Sequence, residues 1–277
     1  MKTSIAKLAL GLTLVSMSSV AMAGIANTKH NLGSSPNAGN GGAGWNFTNG
    51  TTEICVFCHT PHGADSSAAV PLWNRTLSTA TYNTYASLGT STLDSTSTTV
   101  GSVSLACLSC HDGTQAMNVV INSPGGGTQG FVNVGTAPGT DQVLPNSGGF
   151  FEFTSMSDVS GEMIYLGTDL RNDHPISIEY AGALTGALAR TARDADFTTA
   201  LNTTVASGTT VYYIDTNADS AKDKHDLPLY NRVGGSLAGQ PLVECATCHD
   251  PHTQNTTFLR NSAGNNGSAT CLSCHVK

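Results

Sequence analysis

Apolar residues hold neither a helical nor a strand period for long in this chain, because Gly, Ser, Thr and Asn tracts break in. Few regular elements are therefore expected. The first apolar run, residues 8–15, follows Lys2 and Lys7 and leads to Ala21-Met22-Ala23, the small-x-small pattern that signal peptidase cuts. Residues 1–23 read as a signal peptide removed before Gly24, and the chain as exported. No later stretch approaches the roughly 20 apolar residues needed to cross a bilayer, so no membrane span is predicted. Val211-Tyr212-Tyr213-Ile214 is β-prone and predicts a strand over Thr210–Ile214. Residues 33–50, rich in Gly, Asn and Ser, read as a flexible arm, 123–149 as loop, and the hydrophilic run 222–226 as a solvated loop.

Composition narrows the function. Charged residues make up 11% of the 277, against about 25% in an average globular domain, and the formal charge is -7. An acidic chain with so few cations is a poor ligand for nucleic acid or an anionic membrane, so neither is expected as a partner.

Eight cysteines in an exported protein would ordinarily mean four disulfides. Their spacing points elsewhere. They fall as Cys55/Cys58, Cys107/Cys110, Cys245/Cys248 and Cys271/Cys274, each pair followed at once by His59, His111, His249 or His275. C-x-x-C-H is the attachment signature of c-type haem. Two thiols three residues apart reach the vinyl groups along one porphyrin edge, and the adjacent histidine lies beneath the iron as proximal ligand. Zinc, disulfides and redox dithiols have no use for histidine in that slot four times over. Four covalently attached haem c groups are expected. The fold class that follows is a mostly irregular, haem-packed multihaem c-type cytochrome, with short helices around the attachment motifs and few β-strands. A faint repeat, Cys55 to His62 against Cys245 to His252, divides the single domain 24–277 into an arm (24–50), a first dihaem module (51–120), a loop-rich middle (121–224) and a second dihaem module (225–277). A second echo, Pro71-Leu72-Trp73-Asn74-Arg75 and Pro228-Leu229-Tyr230-Asn231-Arg232, offers an aromatic to stack on a porphyrin and an Arg for a propionate, or equally an aromatic turn in ordinary packing.

Five of the nine histidines remain as distal ligands: His30, His62, His174, His225 and His252. Outside the signal segment Met117, Met156 and Met163 are the rivals, and methionine would raise the potential. The supply favours four bis-His haems. His62 and His252 each follow their own proximal histidine by three residues, with Pro61 or Pro251 between. Opposite axial histidines need Cα atoms roughly 12 Å apart and three residues span only about 10 Å, so each is expected to ligate a neighbouring haem and staple the two together. His174 precedes Pro175, which favours extended backbone, and follows Asp173, placed to polarise a ring N–H. His225 is the spare. His30 sits on the arm, which either folds back or reaches the next subunit, the coil to Cys55 spanning about 25–30 Å. A head-to-tail contact of that kind does not close on itself and propagates a filament.

The series CVFCHTPHG, PLWNR, CLSCHDG, NDHPI, CHDPH and CLSCH, after an HNLG start, resembles the multihaem c-type cytochromes of metal-reducing bacteria, and within them the OmcE-type extracellular cytochrome filaments, or nanowires. That resemblance implies a homopolymer with a continuous stack of bis-His haems. It implies His62, His174 and His252 as distal ligands and His30 as the one borrowed by an adjacent protomer. The function expected is extracellular electron transfer at the cell surface, from upstream cytochromes to acceptors such as metal oxides, with no enzymatic chemistry. A monomeric periplasmic tetrahaem carrier is the alternative, and a multihaem reductase with an open haem a further one.

Overall fold

The computed structural model of the protein describes residues 24–32, 53–91, 93–115, 120–122, 165–182, 184–185, 191–205, 207–232, 236–261 and 265–276. The signal segment, the arm 33–50 and the loop 123–149 lie outside the described residues.

The expectation of a mostly irregular, haem-packed chain with few strands is overturned by a five-stranded antiparallel sheet. Its strands are β1 (Ile178–Glu179), β4 (Leu201–Thr204), β5 (Thr210–Ile214), β6 (Leu227–Asn231) and β7 (Pro241–Val243), in the order β1-β7-β6-β5-β4. A separate two-stranded ladder joins β2 (Leu184–Thr185) to β3 (Thr191–Ala192). The strand read at Thr210–Ile214 is β5. It pairs with β4 through Leu201↔Tyr213 and Thr204↔Thr210, and with β6 through Tyr212↔Leu229 and Ile214↔Leu227. Gly208 closes the β4–β5 hairpin at φ +80°, a conformation that side chains with a Cβ rarely adopt.

Alternation accounts for the burial. Leu227 and Leu229 on β6 point into the core while Pro228 between them is only half-buried. They join Tyr180, Ala181, Ala200, Tyr212 and Ile214 in one apolar cluster, against which Phe197, Val243 and Cys274 pack. A second, smaller cluster sets Leu32 and Phe57 against Val56, Cys58, Cys110, Val120 and Tyr165. Attachment cysteines thus border both clusters. The β5–β6 connection is closed by its own carboxylates: Asp215 accepts from the backbone N–H of Asn217, Ala218 and Ser220 at 3.2, 2.7 and 2.8 Å. Buried Asp226 accepts from those of Thr216 and Asp223 at 3.1 and 2.8 Å, and His225 beside it is exposed.

Among the described residues, three α-helices complete the fold: α1 (Ser102–His111), α2 (Cys245–Cys248) and α3 (Ala269–Cys274). β7 runs straight into α2 through Glu244, which caps the helix with a reciprocal capping box to Thr247. The Glu244 carboxylate also accepts from Ser104 Oγ on α1 at 2.5 Å, from Ser177 Oγ at 3.0 Å and from Arg232 Nη2 on the end loop of β6 at 3.1 Å. Gly101, which caps α1, lies so close that a Cβ there would collide with the Glu244 carboxylate and stand 2.8 Å from Arg232 Nη2. Gly101→Ala is expected to lower stability by about 1–3 kcal/mol, read as the thermal midpoint of the haem-loaded protein. An unchanged midpoint would show that this junction gives way freely.

Candidate metal centres

Each motif contains a helical turn, with its histidine at or just past the end of that turn. The His59 N–H donates to Cys55 O at 2.8 Å, that of His249 to Cys245 O at 3.1 Å and that of His275 to Cys271 O at 2.9 Å. Cys107, Cys110 and His111 occupy the last turn of α1. Two of the motifs share a supporting device. His59 Nδ1 is 2.7 Å from Pro71 O, and His249 Nδ1 is 2.7 Å from Thr257 O. The next residue in each case, Leu72 at φ 56° and Phe258 at φ 59°, is held in the left-handed region. That conformation costs a non-glycine residue of order 1 kcal/mol, and here it turns a carbonyl onto a ring nitrogen. The second echo has no such structural counterpart: Pro71–Arg75 backs His59, whereas 228–232 covers β6 and its end. Of the two arginines, Arg75 is buried with Nη2 donating to Ser109 O at 3.2 Å, and Arg232 pairs with Glu244.

The histidines meet in pairs across the chain. The ring centroids of His59 and His252 lie 6.1 Å apart with their planes 15° from parallel. Those of His30 and His111 lie 6.2 Å apart at 71°, and those of His174 and His275 6.5 Å apart at 67°. Two metal–nitrogen bonds of about 2.0 Å and two half-rings of about 1.1 Å would set a trans-ligating pair roughly 6.2 Å apart, centroid to centroid. All three pairs fit that separation. His30 stacks on Phe258 at 4.3 Å and its Nδ1 is buried with no hydrogen-bond partner. Burial, then the charge of His111, lowers its pKa to about 4, against a hydrogen bond to the Pro251 backbone that raises it. Burial likewise lowers His174 and His249. His174 Nδ1 is 3.0 Å from Pro175 O, while Asp173, named in the sequence as its polariser, makes no contact of that kind and is itself raised by burial.

His249 is paired with no imidazole among the described residues, and both His62 and His225 are exposed. His30, read from the sequence as either folding back or crossing to a neighbour, lies here within its own chain beside His111. His252, of the third motif, lies beside His59 of the first. Asp250 Oδ1 lies 3.1 Å from His252 Nδ1, a bond that raises His252 and draws Asp250 down to about 2.

The thiols trace the order of the motifs in space. Cys58 is pushed up to about 12 by burial and then by its neighbour Cys110. Cys107 and Cys245 share a hydrogen bond, which raises Cys107 and lowers Cys245. Cys248 rises to about 11 through burial, Cys245 and Cys271, and Cys274 to about 12 through burial and Cys248. First motif adjoins second, second adjoins third, and third adjoins fourth. Among the described residues no three His, Cys, Asp or Glu side chains gather around a point suited to a bare metal ion. At three of the four motifs the donors come instead as a thiol pair with two imidazoles whose ring centroids lie 6.1 to 6.5 Å apart, a donor set that suits a porphyrin iron.

A C-x-x-C-H thiol pair with an adjacent imidazole defines a covalent haem-binding centre of the c-type cytochrome class. Residues 240–277 match the family model of the doubled CXXCH motif, which marks the third and fourth motifs as a paired haem-attachment unit and suggests a multihaem cytochrome working in electron transfer. No curated protein matches the chain. No helix among the described residues is long and apolar enough to cross a membrane.

Proposed function

We propose that the protein is an exported tetrahaem electron conduit, one haem c on each C-x-x-C-H motif, polymerised head to tail outside the cell. The observation that carries this reading is the repeated spacing of imidazole pairs at 6.1 to 6.5 Å beside three of the four motifs. His252 closes the centre at His59, His30 that at His111 and His174 that at His275. A bound haem would supply the one-electron couple; His59 with His252, His111 with His30 and His275 with His174 would hold it, leaving no site for a substrate at those irons. The thiol neighbours favour a path in sequence order, with upstream cytochromes as donors and extracellular acceptors such as metal oxides at the end.

The centre at His249 takes its second imidazole from another copy. His62 is the residue assigned to that role, because it is the repeat counterpart of His252 and is exposed. His225 is also exposed but sits in a loop closed on itself. His62→Ala is expected to leave four covalent haems, one of them five-coordinate and able to bind CO, in a protein that no longer forms filaments. His225→Ala leaves both properties unchanged. Filaments without CO binding in the His62 variant would overturn the assignment.

The absence of an imidazole partner for His249 among the described residues also favours a second reading, a multihaem reductase with an open iron. That reading requires the unmodified protein to bind CO in its assembled form; the conduit requires that it does not.

A further inference from the structure

The two repeats C-x-x-C-H-x-P-H differ at the position before proline, which is Thr60 in the first and Asp250 in the third motif. Thr60 Oγ1 donates to His62 O at 3.0 Å and does not touch an imidazole nitrogen. Asp250 is half-buried, accepts the His252 backbone N–H at 2.9 Å and holds the ring through Nδ1 at 3.1 Å. The outward nitrogens of His59, His249 and His174 face the neutral carbonyls of Pro71, Thr257 and Pro175 instead. His252 is thus the ring set against a carboxylate.

In every one of these four rings Nδ1 is engaged, which leaves Nε2 to the metal. The strength of the outward bond differs. A carboxylate acceptor draws the Nδ1 proton further than a carbonyl does and makes Nε2 the stronger donor, which favours ferric over ferrous iron. Arg260 Nη1 stands 3.8 Å from the other Asp250 oxygen and partly offsets that charge, while its Nε donates to Ala246 O at 2.9 Å.

Resting on the axial pairing proposed above, we infer that Asp250 is a positioning residue that sets the haem on Cys55 and Cys58 to the lowest potential in the chain, by fixing the His252 tautomer and loading its outward N–H with negative charge. The conduit then carries a built-in step at its first haem, introduced by a single residue that the other repeat lacks.

The test is spectroelectrochemical titration of the full, haem-loaded protein. Asp250→Asn is expected to move one redox wave upward. At fixed solution potential that haem's oxidised-to-reduced ratio falls at least tenfold, an upward shift of about 59 mV. The ferric low-spin electron paramagnetic resonance signal of the same haem changes with it, and Asp250→Glu restores both. Arg260→Gln moves the same wave downward, and it tests the inference independently if the Asn variant fails to fold. His252→Met identifies the wave by displacing it. A purely structural role for Asp250 would lower thermal stability and disturb several waves together. An Asn variant with four attached bis-His haems and unmoved potentials would overturn the inference alone, whereas missing haems or an open iron in the unmodified protein would overturn the functional reading beneath it.

Discussion

Alanine at both Cys107 and Cys110 is expected, in the tetrahaem conduit proposed above, to yield a protein that keeps three covalent haems and no longer passes electrons from one end of the chain to the other. The second motif is central because its thiols neighbour both the first and the third motif. Cys110 neighbours Cys58 of the first motif, and Cys107 lies beside Cys245 of the third. Removing that haem opens a gap in the middle of the path. Alanine at Cys271 and Cys274 also removes one haem, but from the end of the series, so the remaining three still equilibrate with one another. Mass spectrometry counts the haems, and stopped-flow reduction by a slow external donor resolves whether they fill in one phase or two. Two phases are expected for the Cys107/Cys110 variant and one for the Cys271/Cys274 variant. Equal kinetics in the two would rule out a linear path in sequence order.

Glu244→Ala carries the second large effect, a loss of about 3–5 kcal/mol of stability. Its side chain is 2% exposed and it satisfies Ser104, Ser177, Arg232 and the first turn of α2 at once. Alanine strands the Arg232 guanidinium, itself only 21% exposed, together with two hydroxyl donors. The Cys245 N–H donates to Ser104 Oγ at 3.1 Å, so the same hub sets how closely the second and third motifs approach. Glu244→Gln keeps the shape and some of the hydrogen bonds, and its loss is expected to be less than half as large. Chemical denaturation of the haem-loaded protein measures both. A loss under about 1 kcal/mol for the alanine variant would mean that the hub is relaxed by water.

Some of this was legible in the residues. The attachment motifs announce themselves because covalent chemistry dictates spacing, and the surplus of histidine is the ground for the bis-His ligation proposed above. β5 was readable from Val211-Tyr212-Tyr213-Ile214. Its partners were not, and proline is the reason. Pro228 lies within β6 opposite Tyr213, and Pro241 opens β7, both residues that ordinarily argue against a strand. Strands of two to five residues also leave too few positions for an alternating pattern to stand out. The pairing of distant histidines depends on that sheet and on the turns at Leu72 and Phe258, where left-handed backbone falls on residues with no propensity for it. Asp250 was visible as a difference between two repeats, but its meaning appears only once His252 stands beside His59.

The interleaving of axial partners bears on how such a protein is made. In the conduit proposed above, the first motif takes its second ligand from His252 near the C-terminal end, and the second from His30, which precedes every cysteine in the chain. A polypeptide crossing the inner membrane from its N-terminus would therefore present the first motif to the haem-attachment machinery long before its second ligand has emerged. A chain broken off before Pro251 would leave that iron exposed to oxygen. An exported chain with that pairing would call for attachment to be held back, or the half-finished product shielded, until translocation is complete.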